Sequence, residues 1–122
     1  MLRKLPETEL EVMQALWSCN VPATRSEIEQ HLKETHPMAQ TTLLTLLSRL
    51  AEKNFVQIQR NKRAAEYYPL VKKEDYLAQQ SKHFLNKLCN GSISLFASAL
   101  CHSGLSKEDL KELQKLLEQE DL

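Results

Sequence analysis

Four small hydroxyls, Thr41, Thr42, Thr45 and Ser48, fall within the stretch TTLLTLLSRLAEKNF, residues 41–55. Thr loses rotamer freedom in a helix and Ser competes with the backbone for hydrogen bonds, so a purely structural helix has little reason to collect them. Each can donate and accept a hydrogen bond, which is the chemistry needed to meet a polar surface such as base edges. A second group, Arg60, Lys62 and Arg63 in RNKR, offers three cations within four positions, a chemistry suited to phosphate. Catalytic combinations are missing from the pattern. There is no glycine-rich phosphate loop, no pair of carboxylates in an apolar setting and no Ser/His/Asp or Cys/His motif context, so the chain is not expected to be an enzyme. Cys101 and His102 are adjacent and point in different directions on a helix, and no second pair lies at ligand spacing, so neither a metal site nor a cofactor is expected. Cys19, Cys89 and Cys101 are an odd number of thiols, read as reduced rather than as a disulfide framework.

The elements that position these residues follow from periodicity and punctuation. Leu10, Met13, Leu16 and Trp17 recur at helical spacing, which predicts a first helix over 7–18 with acids in its first turn. TRSE, residues 24–27, is a capping box that opens a second helix carrying Ile28 and Leu32 inward. That helix ends before His36 and Pro37, because the residue before proline is pushed out of the helical region. A third helix is predicted over about 39–53. On its wheel Leu43, Leu46, Leu47 and Leu50 gather on one arc and Thr41, Thr45 and Ser48 on the opposite one. Thr42 and Arg49 flank the hydroxyl face on one side and Leu44 on the other.

FVQIQ and AEYYPL flank the polar RNKR, and their β-branched and aromatic content predicts a two-stranded antiparallel ribbon with the cations at its tip. Three further helices follow: one from 73–76 to about 89, an almost wholly apolar one over 93–101, and one from Ser106, whose cap pairs with Asp109. The fold class is therefore mostly α with a small β-ribbon. Three helices and a basic hairpin make the layout of a winged helix-turn-helix, in which the third helix enters the DNA major groove. Residues 1–70 are assigned to that lobe and 71–122 to a helical dimerisation region, too short for a good core of its own. Tyr76, Phe84, Leu88, Ile93, Leu95, Phe96, Leu100, Leu113 and Leu116 are its expected contacts with a second copy.

The formal net charge is +0, yet the charge is zoned. From Arg49 to Lys73 seven cations face two acids, a net of +5, while the segment 7–34 carries −4 and the segment from Ser106 onward −3. A localised basic segment is the footprint of a phosphate-facing surface. No apolar run approaches the roughly 18 residues of a membrane span, and no secretion signal is evident at the amino terminus, so a cytoplasmic location is expected.

LPETELEVMQALW (5–17), TTLLTLLSRLAEKNFV (41–56), YYPLVKKEDYLAQQSKHFLNKL (67–88) and GLSKEDLKELQKLLE (104–118) resemble, in order, the blocks of the BlaI/MecI penicillinase-repressor family. The resemblance implies a dimeric winged-helix repressor that binds a palindromic double-stranded operator and controls β-lactam resistance or related genes. It implies that Thr41, Thr42, Leu44, Thr45, Ser48 and Arg49 face DNA, with Arg60, Lys62 and Arg63 on the wing at the phosphates. The best-known members tend to be basic where Thr41 and Leu44 stand, so the operator sequence is left open. In inducible members a signalling protease, a membrane sensor, cuts between Asn and Phe in the helix matching 93–101. Ser98 and Ala99 occupy that place here, which leaves the sensor as an optional partner. The paired Cys-x-Cys motifs of copper-responsive cousins are absent. The competing reading is a winged-helix module that binds protein without sequence-specific DNA contact.

Overall fold

A computed structural model describes residues 3–61 and 63–120. The elements run α1 (Glu7–Ser18), β1 (Ala23–Thr24), α2 (Arg25–Thr35), α3 (Gln40–Glu52), β2 (Val56–Arg60), β3 (Ala65–Pro69), α4 (Lys73–Leu88), α5 (Ile93–Cys101) and α6 (Lys107–Gln119). The chain divides into two compact units, the first running to Gln79 and the second starting at Gln80, so α4 contributes its early turns to one and its remainder to the other.

In the first unit α1, α2 and α3 close around an apolar centre of Val12, Met13, Leu16, Ile28, Leu32, Leu43, Leu47 and Leu50, with Phe55, Val56 and Tyr67 added from the ribbon. The four leucines of α3 lie on one face and are buried, each burial worth about 2 kcal/mol. The Thr24–Glu27 capping box is formed in full: the Thr24 hydroxyl accepts from the Glu27 amide and the Glu27 carboxylate accepts from the Thr24 amide.

The sheet has three strands, not the two of the expected ribbon. Its order is β1-β3-β2, all antiparallel, with Ala23 opposite Tyr67 on one side of β3 and Ile58 opposite Tyr67 on the other. Two residues carry no periodicity, which is why β1 leaves no trace in the sequence pattern. Strand β3 is thus the central strand, and it buries Tyr67.

The junction between α3 and the wing is a tight left-handed cap. Asn54 takes φ +65°, the Phe55 amide reaches back to the Leu50 carbonyl at 2.9 Å and the Asn54 amide to that of Ala51 at 3.0 Å. This double closure satisfies the last carbonyls of the helix and packs Phe55 beside Leu50, both buried. The Phe55 carbonyl then accepts from Leu70 at 2.8 Å, which ties the exit of β3 to the same turn.

Tyr76 corrects one expectation. Assigned above to the contact between two copies, it is 3% exposed within the first unit. Its ring lies 6.0 Å from Trp17 and 5.9 Å from Phe55, and its hydroxyl accepts from the Leu5 amide at 2.9 Å. The apolar pattern of α4 shows that the residue packs; it does not say against which surface.

The second unit has little interior. Phe84 and Phe96 meet edge to face at 5.7 Å and Cys89 is buried, while α5 and α6 have no buried residue. The Ser106–Asp109 capping box that opens α6 is formed. No helix among the described residues is long and apolar enough to cross a membrane.

Candidate nucleic-acid interface

Each turn of α3 divides the same way. Leu43, Leu46, Leu47 and Leu50 point into the core at 0–5% exposure, while Thr41, Thr42, Leu44, Thr45, Ser48 and Arg49 are exposed. The N-cap residue Ala39 provides no side-chain cap, so the first-turn amides keep their hydrogens uncapped by the protein's side chains. The Thr45 hydroxyl donates to the Thr41 carbonyl at 2.9 Å. The hydroxyls of Thr41, Thr42 and Ser48 have no partner among the described residues, and Arg49 forms no ion pair there, with Glu52 or otherwise.

The wing is held in shape by one side chain. The Asn61 carboxamide oxygen accepts from the amides of Arg63 and Ala64, both at 3.0 Å, and its nitrogen donates to Glu66 at 3.0 Å. Asn61 therefore builds the turn, a role its local hydrogen bonding suits, and it also occupies the one acid of the ribbon. Arg60 and Arg63 stand exposed beside it. Lys62 lies outside the described residues.

Between α3, the start of α2 and the wing runs a groove of about 370 Å³. Leu44, Ile58 and Tyr67 form its apolar floor, and Thr24, Ser26, Ser48, Arg25 and Arg60 its polar rim. Ile58 and Tyr67, flanked by hydroxyls and two guanidinium groups, suit a sugar–phosphate strand, with deoxyribose against these two side chains and phosphate at the guanidinium groups. Arg25 and its neighbours were not legible as site residues, because TRSE accounts for itself as a helix start. Arg25 also pairs with Glu29 at 2.6 Å across one turn of α2, a partly exposed pair of small net worth that a phosphate can displace.

Behind this face is an interaction that sequence reasoning missed entirely. Glu9 of α1, 3% exposed, accepts from the Lys53 ammonium at 2.6 Å. Lys53 is the C-cap residue of α3, so a buried ion pair fastens the end of that helix to α1. The partners are 44 positions apart and no local signal links them.

The expected contacts between copies divide by exposure. Phe84, Leu88, Ile93, Leu95 and Leu116 are exposed large apolar side chains, and Phe96, Leu100 and Leu113 are half-buried. Among the described residues no cluster of three or more His, Cys, Asp or Glu side chains is placed to hold a metal; His102 Nδ1 instead lies 2.8 Å from the Ser98 carbonyl. The Cys19 thiol is pushed up by burial and then by nearby Glu27, which lowers its thiolate fraction at a given pH.

Comparison with known proteins agrees with this geometry. The profile of the Penicillinase repressor family matches residues 5–119. The penicillinase repressor of Bacillus licheniformis is 31% identical over 122 residues, covering 97% of this chain and 94% of that protein. The methicillin resistance regulatory protein MecI of Staphylococcus aureus is 28% identical over 115 residues, covering 93% of each. Among solved structures, the DNA-binding domain of the repressor BlaI superposes with a TM-score of 0.53 at 26% identity, covering 62% of this chain and 92% of that one. Bacillus licheniformis BlaI in its monomeric form, in complex with the blaP half-operator, superposes with a TM-score of 0.51 at the same identity and coverage. With nearly its whole length matched by the family profile, the chain belongs to the penicillinase repressor family.

Proposed function

We propose that this protein is a transcriptional repressor that grips operator DNA with the exposed face of α3 and the β2–β3 wing, and that it does so as a homodimer on a palindrome. One observation carries the reading. Opposite a fully buried leucine face, α3 presents hydroxyls and a guanidinium with no partners of their own, bordered by Arg25 and Arg60 across a groove. Side chains that can donate and accept hydrogen bonds, set in a row on one exposed face of a helix whose other face is buried, suit base edges in the major groove. Wing and helix-end cations supply salt-dependent affinity to the phosphates, α3 supplies base contacts, and promoter occupancy excludes polymerase.

The dimer rests on the second unit. Leu88 and Ile93 are each 68% exposed and Leu95 53%, an apolar surface that a lone chain leaves in water and that a two-fold partner would cover. In this division of labour the first unit, which keeps Val71 and Tyr76, reads DNA, and the second, from Gln80, joins the copies. A membrane sensor protease stays an optional partner, because Ser98 and Ala99 stand where the resemblance places the Asn–Phe cleavage pair of inducible members.

The test is a gel-shift titration on duplex DNA from upstream of the protein's own gene, at two salt concentrations. A palindrome-dependent complex is expected, and Thr45→Glu should abolish it by setting a carboxylate against the duplex. Equal binding of the Thr45→Glu variant would mean that another face meets DNA. Binding without palindrome preference would favour a protein-interaction module instead.

A further inference from the structure

We propose that the central turn of α3 selects A·T pairs, reading the thymine methyl with Leu44 and the adenine amine with Thr45. The inference rests on the DNA-facing assignment of α3 and concerns what that face accepts. Leu44 is 38% exposed and carries no hydrogen-bonding group. Thr45 is exposed, but its single hydroxyl hydrogen is engaged by the Thr41 carbonyl at 2.9 Å. While that bond is kept, it offers outward a lone pair and a methyl group.

The major-groove edges decide what such a turn can recognise. Guanine presents two acceptors, N7 and O6; Leu44 has no hydrogen to give them, and Thr45 can give its own only by breaking its bond to the Thr41 carbonyl. Cytosine presents the N4 amine but no methyl group. An A·T pair presents the adenine N6 amine, which matches the Thr45 lone pair, together with the thymine C5 methyl, which matches the leucine methyls. Only that pair satisfies both side chains, and a G·C pair at the same step leaves guanine acceptors stripped of water against an apolar side chain. Any guanine contact then falls to Thr41, Thr42, Ser48 or Arg49, which keep donors free among the described residues.

The test uses the full chain and a duplex pool with a randomised centre. After selection, each thymidine of the enriched duplex is replaced in turn by deoxyuridine, which removes the methyl group alone. At one or more A·T positions in each half-site, uridine should weaken binding about fourfold, the worth of one buried methyl group. Leu44→Ala should weaken binding to the thymidine duplex and erase this uridine effect. Thr45→Val, which keeps the shape and loses the lone pair, should keep the uridine effect while tolerating a purine that lacks the N6 amine. Uridine duplexes that bind like thymidine ones at every position would overturn the inference, as would an undiminished uridine effect in Leu44→Ala. A pool that yields no enriched palindrome would overturn the DNA-binding reading itself, whereas an enriched palindrome indifferent to the methyl group would remove only this inference.

Discussion

Replacing Lys53 by Met isolates the charge pair that Glu9 forms with Lys53, the one such pair with a buried carboxylate among the described residues of the first unit. The Glu9 side chain is 4% exposed and that of Lys53 21%, with Nζ and Oε1 2.6 Å apart. Methionine keeps the apolar stem of the lysine and removes the ammonium, so the Glu9 carboxyl loses its partner in the core. Removing one partner of a buried pair costs about 3–5 kcal/mol. Lys53 retains some contact with water, which places the expected loss at about 3 kcal/mol, more than a hundredfold in the ratio of folded to unfolded chain. Adding Glu9→Leu removes the stranded carboxyl, and the double variant should recover at least half of the loss, because paired replacement by apolar residues is often neutral. Urea unfolding followed by tryptophan fluorescence reports on this unit directly. Trp17 is the one tryptophan in the chain, and its indole donates to the Val71 carbonyl at 2.9 Å beside Tyr76. A Lys53→Met loss below about 0.5 kcal/mol would refute the reasoning, since exposed pairs lose that little. So would a double variant no more stable than the single one.

Arg60→Ala should weaken binding to all duplexes alike and lower the salt slope by about one unit, as measured by gel shift across a salt series. Phe96→Gln should break the contact with Phe84 and yield monomers in sedimentation while the Trp17 unfolding transition stays unchanged. Asn54→Val should destabilise the first unit by about 1–3 kcal/mol in urea unfolding, because a β-branched residue is strained at φ +65°, and Asn54→Gly should not. With a thiol reagent in a pH series, exposed Cys101 should react first. Cys19, raised by burial, should gain reactivity only as pH climbs past the ordinary thiol range, since its thiolate fraction at a given pH is reduced.

Most of the reading head is legible in the sequence because its signals are local. The leucine arc of α3, the capping boxes at Thr24 and Ser106 and the alternation around Val56 and Ile58 each fit inside a single element, and the structure places those elements where the patterns put them. What escaped depends on pairing over distance. Strand β1 is two residues long and exists only because β3 passes beside it. Glu9 reads as an ordinary first-turn acid, and only the fold brings Lys53 to it. Tyr76 belongs to an apolar pattern shared with Leu77 and Phe84, yet its hydroxyl and ring commit it to Leu5, Trp17 and Phe55. Arg25 reads as part of a cap and gains its place on the groove from the wing opposite.

The turn at Asn54 bears on how the grip on DNA is released. Its reciprocal amide closures bind the end of α3 to the root of β2, and the Leu70 amide knots the far end of the ribbon into the same point. Helix and ribbon are thereby welded at a shared root, with no slack joint through which one could swing while the other stays seated. In the proposed dimer, a signal acting on the contact between copies would halve the number of grips on DNA and leave this turn intact.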